Sequence, residues 1–343
     1  MKKVLFATTA LVATSGFAAA DVTLTGSAEI GVYNSDYSAL VNGDGATAGG
    51  LIGDGETRFH HDLDVRFTLS GTTDNGLTFG ATIDLDELDD QPTAGDIGRD
   101  SGNHAVFISG DFGTVTMGDT DGAFDWALTE VGIGSAINDD HTTHAGFSGN
   151  AGLDGTYDGQ ILRYDNTFGD FGVALSAELQ DTAAGGDTVW GLGARYSFDG
   201  ISAAGDLSVG LGYQTDGTRD IWGMSLNAEF NNGFQAILNY SDLDGQAAGD
   251  NDKHLGLGIG YSMNALTVSA NYGEYDLVGG GSTDGWGLAA NYDLGGGAVV
   301  QFGYGKGDYA ATSTATVDDD TAAAVALAGT SRETWSLGIA MSF

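Results

Sequence analysis

The sequence predicts an all-β fold, a sixteen-stranded antiparallel transmembrane β-barrel, and three observations carry that prediction. Apolar and polar residues alternate with a period of two along most of the chain, the pattern of strands with one apolar and one polar face. Gly supplies 58 of 343 residues and Pro only 1, which excludes collagen and suits tight turns and an open lumen. No apolar run reaches the roughly 20 residues of a membrane helix, and a membrane barrel instead carries its lipid-facing residues at every second position.

The first segment, 1–20, is of another kind. Lys2 and Lys3 form a positive start, 4–17 is small or apolar, and Ala18, Ala19 and Ala20 offer the small residues read by a signal peptidase. Cleavage before Asp21 is expected, leaving 21–343 as a single exported barrel domain. Loss of the two lysines takes the net charge from −37 to −39. Such a charge is incompatible with binding nucleic-acid phosphates. With no Cys, disulfides, thiolate metal sites and Cys nucleophiles are excluded.

Taken in order, the alternating runs are 22–32, 59–69, 77–85, 104–109 and 114–118, then 162–164, 171–179, 190–198, 207–213, 222–230, 234–240, 255–263, 266–272, 286–294, 298–304 and 335–343. The second run shows the logic. Phe59, His61, Leu63, Val65, Phe67 and Leu69 share one face, with Arg58, His60, Asp62, Asp64 and Arg66 on the other. Short connections such as Asp74-Asn75-Gly76 and Asn231-Asn232-Gly233 carry the chemistry of tight reversals. Long acidic links are expected at 34–55, 88–103, 242–253, 276–284 and 307–331. An even strand number with alternating short and long links is the layout of outer-membrane barrels. Aromatic residues near strand ends, including Trp190, Trp222, Phe230, Trp286, Tyr292 and Trp335, suit two interfacial girdles. A soluble sandwich would need charged outer faces, but here the polar faces hold mostly Gly, Ser, Thr, Asn and Asp.

One stretch, 118–159, breaks the alternation and shows no sustained helical stripe. It contains Asp119, Asp121, Asp125, Glu130, Asp139, Asp140, Asp154 and Asp158 and neither Lys nor Arg. A loop of this length inside a barrel is expected to have a function, here to line a water-filled passage.

The segments FGTVTMGDTDGAFD (112–125), LRYDNTFGDFGVALSAE (162–178) and the terminal Phe343 resemble the general diffusion porins of alphaproteobacteria, the Rhodobacter-type family. The resemblance covers nearly the whole chain. It implies a Gram-negative outer-membrane channel, a homotrimer, and a third outer loop, 118–159, folded inward as a constriction. It also implies that Phe343 presents the tag read by the barrel-assembly machinery, and that lipid and lipopolysaccharide surround the barrel. Small apolar residues near the first strands, Ala28, Ala81 and Ala105, are read as facing outward and permitting the trimer.

The expected constriction sets acidic Asp119, Asp121, Asp125 and Glu130 against basic Arg58, Arg66, Arg163 and Arg195. Facing charges in a narrow place set ion selectivity, and the acidic excess points to cations. Pairing of the arginines with Asp62, Asp64 or Asp165 is the competing expectation. Of His60 and His61 only one can face the lumen, and His141 and His144 lack a well-spaced third ligand for zinc. No cofactor is required. Ca2+ remains open through oxygen ligands in the acidic links, at no position the sequence singles out. An outer-membrane hydrolase would need a Ser or Asp paired with His at one rim, and a secreted calcium-binding adhesin would fractionate as soluble. A passive channel for ions and small hydrophilic solutes is the reading that fits.

Overall fold

Sixteen strands close on themselves as an antiparallel barrel. The computed structural model describes residues 21–37, 54–86, 104–137, 144–157, 159–180, 186–202, 205–317 and 325–343. The expected leader 1–20, the middle of the 34–55 link, the 88–103 link, Asp139, Asp140, His141, Asp158 and the acidic run 318–320 lie outside them.

The strands are β1 (Asp21–Tyr37), β2 (Asp54–Thr72), β3 (Thr78–Asp86), β4 (His104–Gly110), β5 (Gly113–Asp119), β6 (Gln160–Phe168), β7 (Phe171–Glu178), β8 (Val189–Ser202) and β9 (Gly205–Thr215). They continue as β10 (Asp220–Phe230), β11 (Phe234–Asp244), β12 (Asn251–Met263), β13 (Leu266–Leu277), β14 (Ser282–Gly295), β15 (Ala298–Asp308) and β18 (Ser331–Ser342). A small hairpin, β16 (Thr316–Val317) with β17 (Val325–Ala326), stands apart from the wall in the last link. Each barrel strand pairs with its sequence neighbour, and β18 pairs with both β15 and β1. Beyond the register Ser27↔Ser342, the ends are tied by Phe343 N–H to the Gly26 carbonyl at 2.8 Å and Gly26 N–H to the Phe343 carbonyl at 3.3 Å.

Register decides which solvent each side chain meets. On β1 and β2 the rungs Leu24↔Phe67 and Ala28↔Leu63 face outward, while Thr25↔Arg66, Ser27↔Asp64, Gly31↔His60 and Tyr33↔Arg58 face the lumen. His60 lies inward, 3.3 Å from Glu29, and His61 outward. Apolar side chains such as Leu24 (58% exposed) and Ile259 (63% exposed) therefore have lipid as their solvent. Ala28 and Ala81 face outward, but Ala105 pairs with Thr82 and Gly118 and faces the lumen. The expected outward position is corrected because Val106 and Ile108 hold the outer face of β4.

Toward the long-link end, Trp222, Tyr240, Tyr272, Trp286, Tyr304 and Trp335 form an outward aromatic row, with ring centroids 5.3 Å apart for Trp222–Tyr240 and 5.1 Å for Trp286–Tyr304. One rung further out the outward face turns acidic: Asp242 stands opposite Trp222, Asp284 pairs with Glu274 and Asp308, and Glu333 lies opposite Lys306.

Two links are shorter than expected. β11 runs to Asp244 and β12 starts at Asn251, so only 245–250 lies between them. Between β13 and β14 only 278–281 remains, where Gly279, Gly280 and Gly281 take φ of 91°, 103° and 101°, values L side chains rarely adopt. The acidic residues flanking these turns still alternate, so the strands extend past the apolar band as paired backbone.

Closure predicts heat-modifiable migration in detergent gels and a strand-dominated circular dichroism spectrum; a helical spectrum would contradict the fold. Deleting Phe343 removes two closing hydrogen bonds worth about 1 kcal/mol each and is expected to lower the assembled, heat-modifiable fraction. The conductance of molecules that do assemble should stay the same.

Candidate functional site

Between β5 and β6 the described residues 120–137, 144–157 and Gly159 lie along the lumen face of the wall. Their backbone cannot pair as a strand there, so side chains of the wall meet it one after another. Ala123 N–H donates to Ser176 Oγ on β7 at 2.9 Å, and Leu153 N–H to Gln214 Oε1 on β9 at 2.7 Å. Thr129 N–H donates to Ser225 Oγ on β10 at 2.9 Å, and Asn239 Nδ2 on β11 donates to the Thr129 carbonyl at 2.9 Å. His254 on β12 bonds the Gly146 carbonyl at 3.0 Å, and Asn291 Nδ2 on β14 donates to the Ser135 carbonyl at 2.7 Å. Glu178 Oε1 accepts the N–H groups of Tyr157 and Gly159, both at 3.0 Å, where the loop rejoins the wall. Each bond contributes about 0.5–1.5 kcal/mol, and the series holds the loop to half the barrel's circumference.

Apolar contacts fill the spaces between these bonds. Phe124, Leu128 and Leu153 pack with Val189 and Ile221, and Val131 and Ile133 with Ile237. The backbone can approach so closely because the wall is cut down to Gly beneath it. A Cβ at Gly193, Gly210 or Gly258 would collide with the carbonyls of Ala123, Ala127 or Val131. A short helix, α1 (Ala123–Ala127), lies within the stretch with Ala123, Phe124 and Ala127 buried. It is a single turn that ends where Leu128 takes extended backbone, so no helical stripe is sustained through the described loop.

Around α1 the loop gathers its carboxylates. Burial, then the neighbouring charges of Asp121, Glu130 and Asp154, push Asp125 up to about 7, and Arg163 opposes the shift. Burial and Asp121 also raise Glu130. Asp154 is raised to about 6, chiefly by burial, although it accepts Gly122 N–H at 2.9 Å and Gln214 Nε2 at 2.7 Å. Asp154 thus braces the start of α1 against β9, a role the sequence did not reveal. Asp121, Asp125, Glu130 and Asp154 form one electrostatic group.

Asp119 does not join them. It continues β5 two residues after Met117, paired with Gln160, and shares the outward face of Met117 and Leu162. The expectation treated it as loop, but the alternation of β5 runs on through it.

The four arginines all lie on lumen-facing rungs, in different company. Arg163 bonds the Asp121 carbonyl at 2.6 Å and Asp165 at 3.2 Å. The Arg195 guanidinium stacks on the Trp126 ring, 3.9 Å from its centroid. Arg66 pairs with Asp84 through two hydrogen bonds, and Arg58 stands opposite Tyr33 at the outer end of β2. The structure brings Arg163 and Arg195 to the start of the loop and leaves Arg66 and Arg58 on β2. The loop's wall anchors escaped the sequence reading. Their signal is a polar residue next but one to a lumen-facing Gly, as in Gly212-Tyr213-Gln214 or Gly223-Met224-Ser225. Among the described residues no three His, Asp or Glu side chains are grouped to hold a metal ion.

The family model for Gram-negative porins matches residues 7–312 of the chain. A porin of Rhodobacter capsulatus is 27% identical over 274 residues, covering 71% of this chain and 86% of that protein. A porin of Fuscovulum blasticum is 29% identical over 251 residues, covering 69% and 82%. A solved porin structure superposes with a TM-score of 0.64 at 23% identity, covering 94% of this chain and all of its own. A triple mutant of the Rhodopseudomonas blastica porin gives 0.64 at 19% identity with the same coverage.

The close approach of loop to wall yields a test. Gly210→Ala places a methyl against the Ala127 carbonyl and Ser225 Oγ; overpacking of this kind costs about 1–3 kcal/mol. Single-channel recording is expected to show a noisier, altered conductance with an unchanged barrel by gel shift. A silent Gly210→Ala would contradict the packing of α1 on β9.

Proposed function

The chain belongs to the Gram-negative porin family and is a non-enzymatic outer-membrane channel; from that premise we propose that the channel prefers cations and that its inner loop is the selective element. The observation supporting this is the electrostatic group of Asp121, Asp125, Glu130 and Asp154 on one loop, against Arg163, Arg66 and Arg195, which are drawn into local contacts. Arg163 is shared with Asp165, Arg66 with Asp84, and Arg195 is covered by Trp126. Charges more than a Debye length from the narrowest point, roughly 8 Å in physiological salt, are largely screened. Acidic links at the mouth therefore matter less than the loop.

Three further expectations belong to the same reading. The segment 1–20 is a signal peptide removed during export, and Phe343 is the residue presented to the barrel-assembly machinery. The homotrimer uses the outer face of β1–β5, where small Ala28 and Ala81 face outward. Lipopolysaccharide meets the acidic rungs above that row, where Ca2+ offers the means to bridge carboxylate and phosphate. Cross-linking in mild detergent should give a three-subunit species; strictly monomeric behaviour before heating would count against the trimer.

Selectivity is tested by reversal potential under a salt gradient, for wild type and for Asp121→Asn with Asp125→Asn. Cation preference should fall in the double variant and shrink for both proteins at high salt. Anion preference in the wild type would hand control to the arginines and refute the proposal.

The pH dependence follows from the raised carboxyls. Asp125, at about 7, and Asp154, at about 6, gain charge as pH rises, so cation preference should grow between pH 5 and 8. Asp125→Asn should remove the upper part of that change. The stability sign is opposite. A carboxyl raised on folding favours docking fully below its unfolded value near 3.8, and that contribution is lost as pH rises through 6 to 7.

A further inference from the structure

We propose that His144 and His254 form a proton-operated latch that fastens the second half of the loop to the wall and releases it in acid. The inference concerns regulation of the channel described above; it rests on the porin reading but not on the sign of selectivity.

Both rings are buried, His144 to 5% and His254 to 1% exposure. One residue of the loop, Gly146, joins them: its N–H donates to His144 Nδ1 at 3.2 Å, and its carbonyl meets His254 Nε2 at 3.0 Å. His144 Nε2 faces Asn271 Oδ1 on β13 at 3.0 Å. These partners fix the tautomers. His144 must carry its proton on Nε2 to donate to an amide oxygen and leave Nδ1 bare to accept Gly146. His254 must carry its proton on Nε2 to donate to a carbonyl. Phe147 meets His144 edge-on, with centroids 6.1 Å apart, and Tyr275 tilts over His254 at 4.5 Å. Beneath them the wall is Gly: a Cβ at Gly273 would strike the Gly146 carbonyl, and one at Gly285 would lie 2.6 Å from His144 Nδ1.

A second proton has no place in this arrangement. On His144 it would sit on Nδ1, pointed at the Gly146 N–H that Nδ1 now accepts. On His254 it would sit on Nδ1, a buried atom with no hydrogen-bond partner among the described residues. The groups facing His144 do not neutralise it either. His254 comes from β12, Tyr275 from β13 beside His254, and Arg332 from β18, while β14 and β15 present Gly285 and Gly307. On the loop itself, Glu130 approaches at Gly149. Burial lowers His144 to about 4; its bond to Asn271 opposes the shift, and the charges of His254 and Arg332 add to it. A base lowered on folding contributes its full stability above the unfolded value near 6.5, and that stability is lost as pH falls toward the folded value. Acid therefore works against the docking of 144–150.

The test is planar-bilayer recording of the full-length porin, with the pH on the long-loop side stepped from 7 to 4. Wild type is expected to show a rise of about tenfold or more in closing events as the local docking equilibrium shifts. His144→Gln, which cannot gain a charge there, should show a clearly smaller rise than wild type. Asn271→Asp, which gives the imidazolium a carboxylate partner, should also hold the latch shut. An equal rise in all three proteins, or no rise in wild type, would overturn the latch. Where His144→Gln does not assemble, wild type against Asn271→Asp decides. Reversal potentials from the same recordings report selectivity separately, so a failed cation preference and a failed latch are told apart.

Discussion

A peptide backbone placed in hydrocarbon must find every hydrogen-bond partner within the protein, and the rest of this structure depends on that requirement. An open sheet would leave two edges unpaired, so β1 must meet β18, and the last residue, Phe343, completes the seam through Gly26. The side of the sheet facing lipid must be apolar, and the side facing the bore must not. Alternation does both at once, and the same constraint explains why Pro, which lacks an N–H, is nearly absent from the chain.

A second constraint follows inside the bore. The loop carried there brings its own backbone groups, and it lies across strands whose main-chain bonds are already used. Only side chains are left to receive it. The wall supplies them at intervals, Ser176, Gln214, Ser225, Asn239, His254 and Asn291, and elsewhere is reduced to Gly so that the loop backbone can reach them. Part of the abundance of Gly, which composition alone reads as an allowance for turns and an open lumen, is here a fitted bed for the loop, as at Gly193, Gly210 and Gly258. Docking is therefore a sum of many small terms with no single anchor. Such a loop stays in place on average while sections of it respond separately to their surroundings.

How much of this was legible in the sequence depends on distance along the chain. The sixteen strands could be read because period two is a local signal that lipid on one side and water on the other enforce residue by residue. The lumen-facing positions of Arg58, Arg66, Arg163 and Arg195 followed from the same parity. Asp119 was misplaced because composition marked it as loop while the parity of β5 ran on through it. Ala105 was misplaced because a small residue says little about its face, and only its rung with Thr82 fixes it. The wall anchors were hidden for a different reason. Whether Ser225 bonds Thr129 is settled by contacts between residues almost a hundred positions apart, and a Ser on a polar strand face looks the same with or without a loop above it.

Two clusters on the loop titrate in opposite senses, and this gives the constriction its character. Around α1, like charges crowd Asp121, Asp125, Glu130 and Asp154 together where burial already opposes ionisation. Protons are welcome there: they relieve repulsion and favour docking while removing the charge that attracts cations. At the second cluster, His144 and His254 are neutral by stereochemistry, and a proton has nowhere to go without breaking the Gly146 bonds. Falling pH thus draws α1 toward the wall while loosening 144–150. The carboxyls of the docked loop titrate near 6 to 7, and the hold at His144 weakens as pH falls from the free value near 6.5 toward about 4. A loop built from one kind of titratable group would change both properties together. With two kinds, acid removes charge from the bore and tightens the cluster around α1 while it loosens the hold at Gly146.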